Sequence, residues 1–102
     1  MVETTIRITA EPIGVTEAEA LVADPAAGGT CIFSGTVRDH SPAGAVTALR
    51  YEAWEELAVA RLRAIAEEMA ATWPLRRIAI LHRIGELPVG ETSVVEIGRA
   101  HV

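Results

Sequence analysis

The spacing of apolar residues along the chain predicts one long helix as its clearest element. Over residues 53–73, five apolar side chains recur at helical intervals, which is typical of a helix with one buried face. That stripe consists of Trp54, Ala58, Leu62, Ile65 and Met69. The opposite face is charged, with Arg63 and Glu67 one turn apart, and should face water. Pro74 is expected to end the helix.

Runs of apolar and β-branched residues between turn signals predict five strands. They cover residues 3–9, 30–37, 46–51, 77–84 and 93–99. A short second helix is expected after Thr16, which forms a capping box with Glu19. The stretches 38–44 and 85–91 contain Gly and Pro and are expected to be connections.

The predicted order of these elements is β-α-β-β-α-β-β, which indicates an α+β fold. We expect both helices to pack on one side of a mixed, mainly antiparallel sheet. At 102 residues the chain is expected to form a single domain, residues 1–102.

Composition narrows the classes of partner and chemistry. A net charge of −5 argues against a nucleic-acid partner. No apolar run is long enough to cross a bilayer, and the N-terminus does not resemble a signal peptide. Together with the single cysteine, Cys31, these features favour a reducing, cytoplasmic compartment. All nine basic residues are arginine, so no lysine side chain is available as a nucleophile or base.

The strongest candidate for chemistry is the loop that follows the second predicted strand. Arg38 has the charge and the fork of donors to bind a phosphate or carboxylate, although it could instead pair with Asp39 or another nearby acid on the surface. His40 is weaker, because loop histidines are most often only solvated. His82 is interpreted as a histidine at the edge of the core with a backbone partner. Cys31 is expected to be buried and structural.

Motifs for metals and cofactors are missing from the sequence. The three histidines lack metal-ligand spacing, and a lone cysteine cannot form a Cys pair. Gly28, Gly29 and Gly35 do not form a phosphate-binding glycine fingerprint. We therefore predict neither a metal nor a cofactor.

Several separated motifs resemble one known family. The run from Phe33 to His40 reads F-S-G-T-V-R-D-H and resembles the F-x-G-x-V-R-[DN]-H segment of the molybdopterin synthase large, catalytic subunit. The motifs that follow in that family's order lie at residues 45–54, 73–75, 80–87, 89–91 and 99–101. The resemblance covers residues 30–98 almost without gaps, and it implies an alpha/beta-hammerhead-like fold.

The resemblance implies a sulfurtransferase in molybdenum cofactor biosynthesis. The family converts cyclic pyranopterin monophosphate, a pterin phosphate, to molybdopterin. Its sulfur comes from the thiocarboxylated C-terminus of a small ubiquitin-like sulfur-carrier subunit, and two large and two small subunits form a heterotetramer. Thr36, Val37 and Arg38 match its substrate-binding stretch, with Phe33 and His40 beside them as possible pocket residues.

A second substrate-binding position in the family matches His101. In the family this residue reaches across a homodimer of large subunits. Where family members continue with an arginine and then the catalytic lysines, this sequence has Val102 and no further residue. The resemblance therefore assigns no catalytic residue here. We expect that the chain lacks full turnover by itself and exposes apolar surface that favours self-association.

Two other functions remain open at the level of sequence. The lack of lysine is compatible with a non-catalytic module that keeps the dimer or the partner surface. Without the resemblance, a regulatory domain that binds a small molecule would have a similar α+β shape.

Overall fold

The computed structural model describes residues 2–51 and 55–100, apart from the side chains at positions 49, 51 and 55. Eight strands and two helices lie in this part of the chain. In order they are β1 (Glu3–Thr9), α1 (Val15–Leu21), β2 (Gly29–Thr36), β3 (His40–Ser41), β4 (Gly44–Ala45), β5 (Ala48–Tyr51), α2 (Glu55–Thr72), β6 (Leu75–Arg83), β7 (Gly85–Pro88) and β8 (Thr92–Ala100).

A four-stranded sheet in the order β1-β6-β8-β2 organises the fold. β1 runs parallel to β6, whereas the β6–β8 and β8–β2 pairs are antiparallel. Strand β6 lies inside this sheet, and its residues 78–81 are all buried. The predicted class, two helices on a mixed and mainly antiparallel sheet, is confirmed.

The two helices cover opposite faces of the sheet, so the expectation that both lie on one side is wrong. α1 packs Ala18 against Ala79 and Leu81, while α2 packs Ala66 against Ile78 and Ile80. Successive side chains of a strand point to opposite faces. Because all four of these β6 residues are apolar, each face of the strand needs a cover of its own.

On α2 the buried stripe is narrower than predicted. Ala66 is fully buried, and Leu62 and Met69 pack against the same core cluster. Ile65 is 46% exposed, so its predicted burial is wrong. Successive helix residues are about 100° apart, which places Ile65 at the margin of a stripe centred on these three residues. Trp54 lies outside the described residues.

The start of α1 also differs from the prediction. The helix begins at Val15 after an extended Gly14, and no side chain caps it, so the capping box of Thr16 and Glu19 is wrong. Val15 packs against the core beneath α1. That contact starts the helix one residue before Thr16, which lies exposed in the first turn.

Three short strands lie in or next to the predicted connections. β3 pairs with β4 within residues 38–45, and β7 pairs with β5, which lies inside the predicted strand 46–51. Alternation cannot reveal β3, β4 and β7, because strands of two to four residues are too short to show a period of two. The predicted connection over residues 85–91 is therefore correct only for the turn that follows β7.

A buried carboxylate ties the loop between α1 and β2 to the start of β6. Asp24 Oδ2 accepts a hydrogen bond from Arg76 Nε at 2.8 Å, and its Oδ1 accepts one from the Ala26 backbone N–H at 2.8 Å. Arg77 Nε lies 3.5 Å from the same Oδ2, across a bulge between Leu75 and Arg77. The hydrogen bond from Arg76 is the main reason that the pKa of Asp24 is lowered to about 2.

Burial on the α2 face can be tested with two isoleucines. Ile80→Ala should lower the free energy of unfolding by about 2–5 kcal/mol, because Ile80 is buried in the core. Ile65→Ala, the same change at an exposed position, should stay within about 0.5 kcal/mol of wild type. Urea unfolding measures both. Equal losses would contradict the assignment of the buried face.

The Asp24 contacts predict a pH dependence of stability. A pKa of about 2 in the folded state, against about 3.9 unfolded, stabilises the fold fully above about pH 4. That contribution is lost as the pH falls towards 2. Asp24→Asn should therefore unfold more easily at neutral pH, with a deficit that shrinks from pH 4 to pH 2 in denaturant titrations. Glu11→Gln, at an exposed carboxylate, serves as the control, and a deficit independent of pH would refute the prediction.

Candidate functional site

The candidate site lies where β2 leaves the sheet. The register with β8 shifts between Gly35 and Thr36, and the buried Ser93 hydroxyl donates a hydrogen bond to the Gly35 carbonyl at 3.2 Å. A Cβ at Gly35 would lie 3.0 Å from Val94 Cγ1, which is tighter than most such contacts. β2 can therefore lie this close to β8 because position 35 has no side chain. The bulge re-aims the chain that follows.

Val37 is held on all sides. Its backbone N–H donates to the Glu91 carbonyl at 3.0 Å, and its carbonyl accepts from the Gly90 N–H at 2.9 Å. Its side chain is 3% exposed. Of the predicted substrate-binding stretch, Val37 is thus an anchor, whereas Thr36 and Arg38 on either side of it are exposed.

Arg38 does not pair with Asp39, the alternative left open by the sequence. The Asp39 carboxylate lies 2.8 Å from His40 Nδ1 instead. Within residues 2–51 and 55–100, Arg38 forms no hydrogen bond or ion pair of its own. The backbone at Asp39 is fixed, because its carbonyl accepts from the Val46 N–H at 2.8 Å. The Arg38 guanidinium is thus exposed, while the backbone on either side of it is held by hydrogen bonds.

Phe33 belongs to a different feature. It is 60% exposed and lines an apolar groove of about 550 Å³ between α2 and the sheet. The other lining residues include Met69, Trp73 and Ile80, with Glu96 as the charged one. None of Thr36, Val37, Arg38 or His40 lines the groove. The structure brings the predicted site residues 36–40 together but separates Phe33 from them.

His101 lies outside the described residues. Ala100, the residue before it, pairs with Gly29, and Thr36 pairs with Thr92 at the other end of the same strand. β2 has eight residues. At about 3.3 Å each, roughly 25 Å separate the two ends. Ala100 and Arg38 of one protomer therefore lie near opposite ends of β2.

Two further predictions have opposite outcomes. His82 Nδ1 lies 2.7 Å from the Arg83 carbonyl in a half-buried position, so its interpretation as a core-edge histidine with a backbone partner is confirmed. Cys31 is exposed, so its predicted burial is wrong. It lies on β2, an edge strand, where it lines the open groove.

Sequence reasoning missed the ion pair between the buried Arg83 and the partly exposed Glu91. Arg83 is 7% exposed, and its Nη1 donates to Glu91 Oε1 at 2.6 Å. A signal was present, because an arginine that ends an apolar strand is rarely buried without a carboxylate partner. In the described ranges, no three His, Cys, Asp or Glu side chains are grouped to hold a metal. Neither helix there has the length and apolar character to cross a membrane.

Known proteins resemble the chain over nearly its whole length. A family model described as MoaE protein matches residues 8–101. Molybdopterin synthase catalytic subunits from Drosophila willistoni and Bos taurus are 40% identical over 91 residues and 38% identical over 97 residues. The solved molybdopterin biosynthesis MoaE protein from Burkholderia ambifaria MC40-6 superposes with a TM-score of 0.84 at 32% identity.

The relatives are longer than this chain. The matches cover 88% and 94% of this chain, but 24% of the Drosophila protein and 51% of the bovine one. The Burkholderia match covers 97% of this chain and 65% of that chain. The chain thus spans between a quarter and two thirds of the proteins it matches.

Proposed function

Because the chain belongs to the MoaE protein family, we propose that it acts as the large-subunit component of molybdopterin synthase in molybdenum cofactor biosynthesis. Its substrate would be cyclic pyranopterin monophosphate, and the reaction a sulfur transfer that yields molybdopterin. The two curated relatives described above are named catalytic subunits. That naming favours an enzyme subunit over a non-catalytic module.

The observation that carries the proposal is the state of Arg38. Its guanidinium is exposed and has no partner in the described part of the chain, while its neighbours Val37 and Asp39 are anchored through their backbones. Guanidinium binds phosphate oxygens through two parallel hydrogen bonds. In a protein with a net charge of −5, such attraction for an anion must be local. Arg38 would hold the substrate phosphate, with the exposed Thr36 hydroxyl as an additional donor.

The charges around Arg38 support this role. Asp39 is the nearest acid in sequence, and its carboxylate faces His40. The Asp39–His40 pair therefore leaves the Arg38 charge available to a ligand.

The sulfur-transfer step needs more than this site. The family handles the acyl tail of the sulfur carrier with a lysine amine, and these 102 residues contain no lysine. Arginine cannot replace it, because the guanidinium stays protonated. We therefore assign substrate binding to these residues and the amine chemistry to groups outside them.

We also propose two protein partners. The name catalytic subunit, borne by the relatives, fits an assembly with a second, small sulfur-carrier subunit. A second copy of this chain would bind along β2. This strand has one free edge, exposes Ile32 and Phe33, and carries neither charge nor proline, features that favour edge pairing.

Antiparallel pairing of β2 with β2 of a second copy would complete the site. The Arg38 end of one strand would then lie beside the Gly29 end of the other. In each copy Gly29 pairs with Ala100, and His101 follows Ala100 in sequence. Two protomers would thus bring Arg38 of one copy close to the Ala100 end of β8 in the other, and we propose that His101 completes the site from there.

Substitution of Arg38 tests the binding role. Arg38→Ala should weaken the binding of cyclic pyranopterin monophosphate about 10- to 100-fold in calorimetry, the usual loss for charge-assisted hydrogen bonds. The affinity of Arg38→Lys should lie between those of wild type and Arg38→Ala, because lysine keeps the charge but lacks the fork of donors. Arg61→Ala removes the same charge from the exposed surface of α2 and should bind like wild type. Unchanged affinity of Arg38→Ala would show that the assignment is wrong.

Sedimentation tests the edge pairing. Wild type should sediment as a dimer, and Ile32→Lys as a monomer, because it would place two like charges near each other in the middle of the paired strands. Leu57→Lys, at an exposed leucine on α2, should remain a dimer. A monomeric wild type at tens of micromolar, or equal effects of the two lysines, would exclude β2 as the interface.

A further inference from the structure

The ion pair between Arg83 and Glu91 lies close to the candidate site, and we propose that it positions Arg38 for the anion. In this role Glu91 is a positioning residue that never touches the ligand. The inference rests on the proposed function of Arg38 and extends it to two residues outside the predicted substrate-binding stretch.

Arg83 fixes one end of the connection. It is the last residue of β6, and its guanidinium is almost completely buried. Nη1 donates to Glu91 Oε1 at 2.6 Å, and Nη2 donates to the Ala10 carbonyl at 3.1 Å. A buried cation is costly without a charged partner, and the partly exposed Glu91 carboxylate is the partner of Arg83.

The main chain of Glu91 connects this ion pair to Val37. Its carbonyl accepts the Val37 N–H at 3.0 Å, and its own N–H closes a turn on the Pro88 carbonyl at 3.2 Å. The neighbouring Gly90 N–H donates to the Val37 carbonyl at 2.9 Å, and Gly90 has a φ of +89° that favours glycine. One residue thus holds Arg83 with its side chain and Val37 with its main chain.

The backbone at Val37 depends on this turn. The ladder between β2 and β8 ends with the pair of Thr36 and Thr92, so Val37 has no further strand partner there. Its two backbone hydrogen bonds go to Gly90 and Glu91. On the other side of Arg38, the Asp39 carbonyl is held by Val46. Arg38 therefore lies between Val37 and Asp39, two residues whose backbones are held by hydrogen bonds. One of the hydrogen bonds of Val37 is to the Glu91 carbonyl.

Such bracing has a consequence for binding. A side chain whose backbone is already fixed loses less conformational freedom when it binds a ligand. If the Arg83–Glu91 pair is broken, the turn can relax, Val37 loosens, and the ligand must reorder Arg38. Effects transmitted through packed neighbours typically change affinity by about 3- to 30-fold.

The test compares Glu91→Gln with Glu17→Gln. Glu17 is also a carboxylate paired with an arginine, Arg7, but it belongs to α1 and not to the turn over residues 88–91. Inorganic phosphate is titrated into each protein and followed by NMR, and hydrogen exchange of the Val37 amide is measured in the same samples. We expect Glu91→Gln to bind phosphate 3- to 30-fold more weakly and to exchange the Val37 amide faster. Glu17→Gln should match wild type in both.

A double variant separates positioning from a general structural effect. Once Arg38→Ala has removed the guanidinium, adding Glu91→Gln should have no further effect on phosphate affinity, because there is nothing left to position. Equal losses in both backgrounds would overturn the inference. Glu91→Asp keeps the carboxylate and should recover part of the affinity.

The outcomes also distinguish this inference from the proposed function. If Arg38→Ala weakens phosphate binding but Glu91→Gln does not, the positioning role is wrong and the anion site stands. If Arg38→Ala has no effect, the anion site itself is wrong. Should Glu91→Gln fail to fold, Gly90→Ala takes its place with the same expectations. A Cβ there meets no atom within 4 Å, so the change strains only the turn.

Discussion

Burial of β6 on both faces is the constraint on which the rest of the fold depends. Its residues 78–81 form an uninterrupted apolar run, and none of them can face water without a large loss of stability. Each face must be covered, which places α1 on one side and α2 on the other. β1 and β8 occupy the two edges of β6, and β2 joins the sheet beyond β8 as an edge strand.

The place of β2 at the edge determines where function can lie. Its outer edge has no partner strand in the four-stranded sheet, and its far end leaves the ladder close to the turn before β8. The polar loop with Arg38 begins there, on a backbone held by that turn. A rigid sheet with a functional loop at a strand end is a common arrangement, because the sheet supplies precision and the loop supplies exposure. The free edge of β2 and the exposed loop that carries Arg38 are two consequences of one topology.

The sequence predicted elements where one local pattern decides the outcome. β1 was predicted over residues 3–9 and lies there, and β6, β8 and α2 agree within two residues at each end. The predictions failed where contacts between distant parts of the chain decide the structure. The apolar run 78–81 has no alternation that would assign each helix to a face, and Ile65 has the right spacing but lies at the margin of the stripe. The pairing of β5 with β7 joins residues far apart in sequence, which no periodicity reveals.

The site was predictable in part for the same reason. Arg38 could be singled out from its motif and its place at a strand exit, whereas the support from Arg83 and Glu91 depends on contacts across a turn. The central claim is that the β2 exit binds an anionic pterin. Titration of wild-type protein with cyclic pyranopterin monophosphate, followed residue by residue by NMR, tests it most directly. The account predicts the largest shift changes at Thr36, Arg38 and Asp39, with little change on α1. Changes confined to the apolar groove at Phe33 and Trp73, or no saturable change at all, would contradict it.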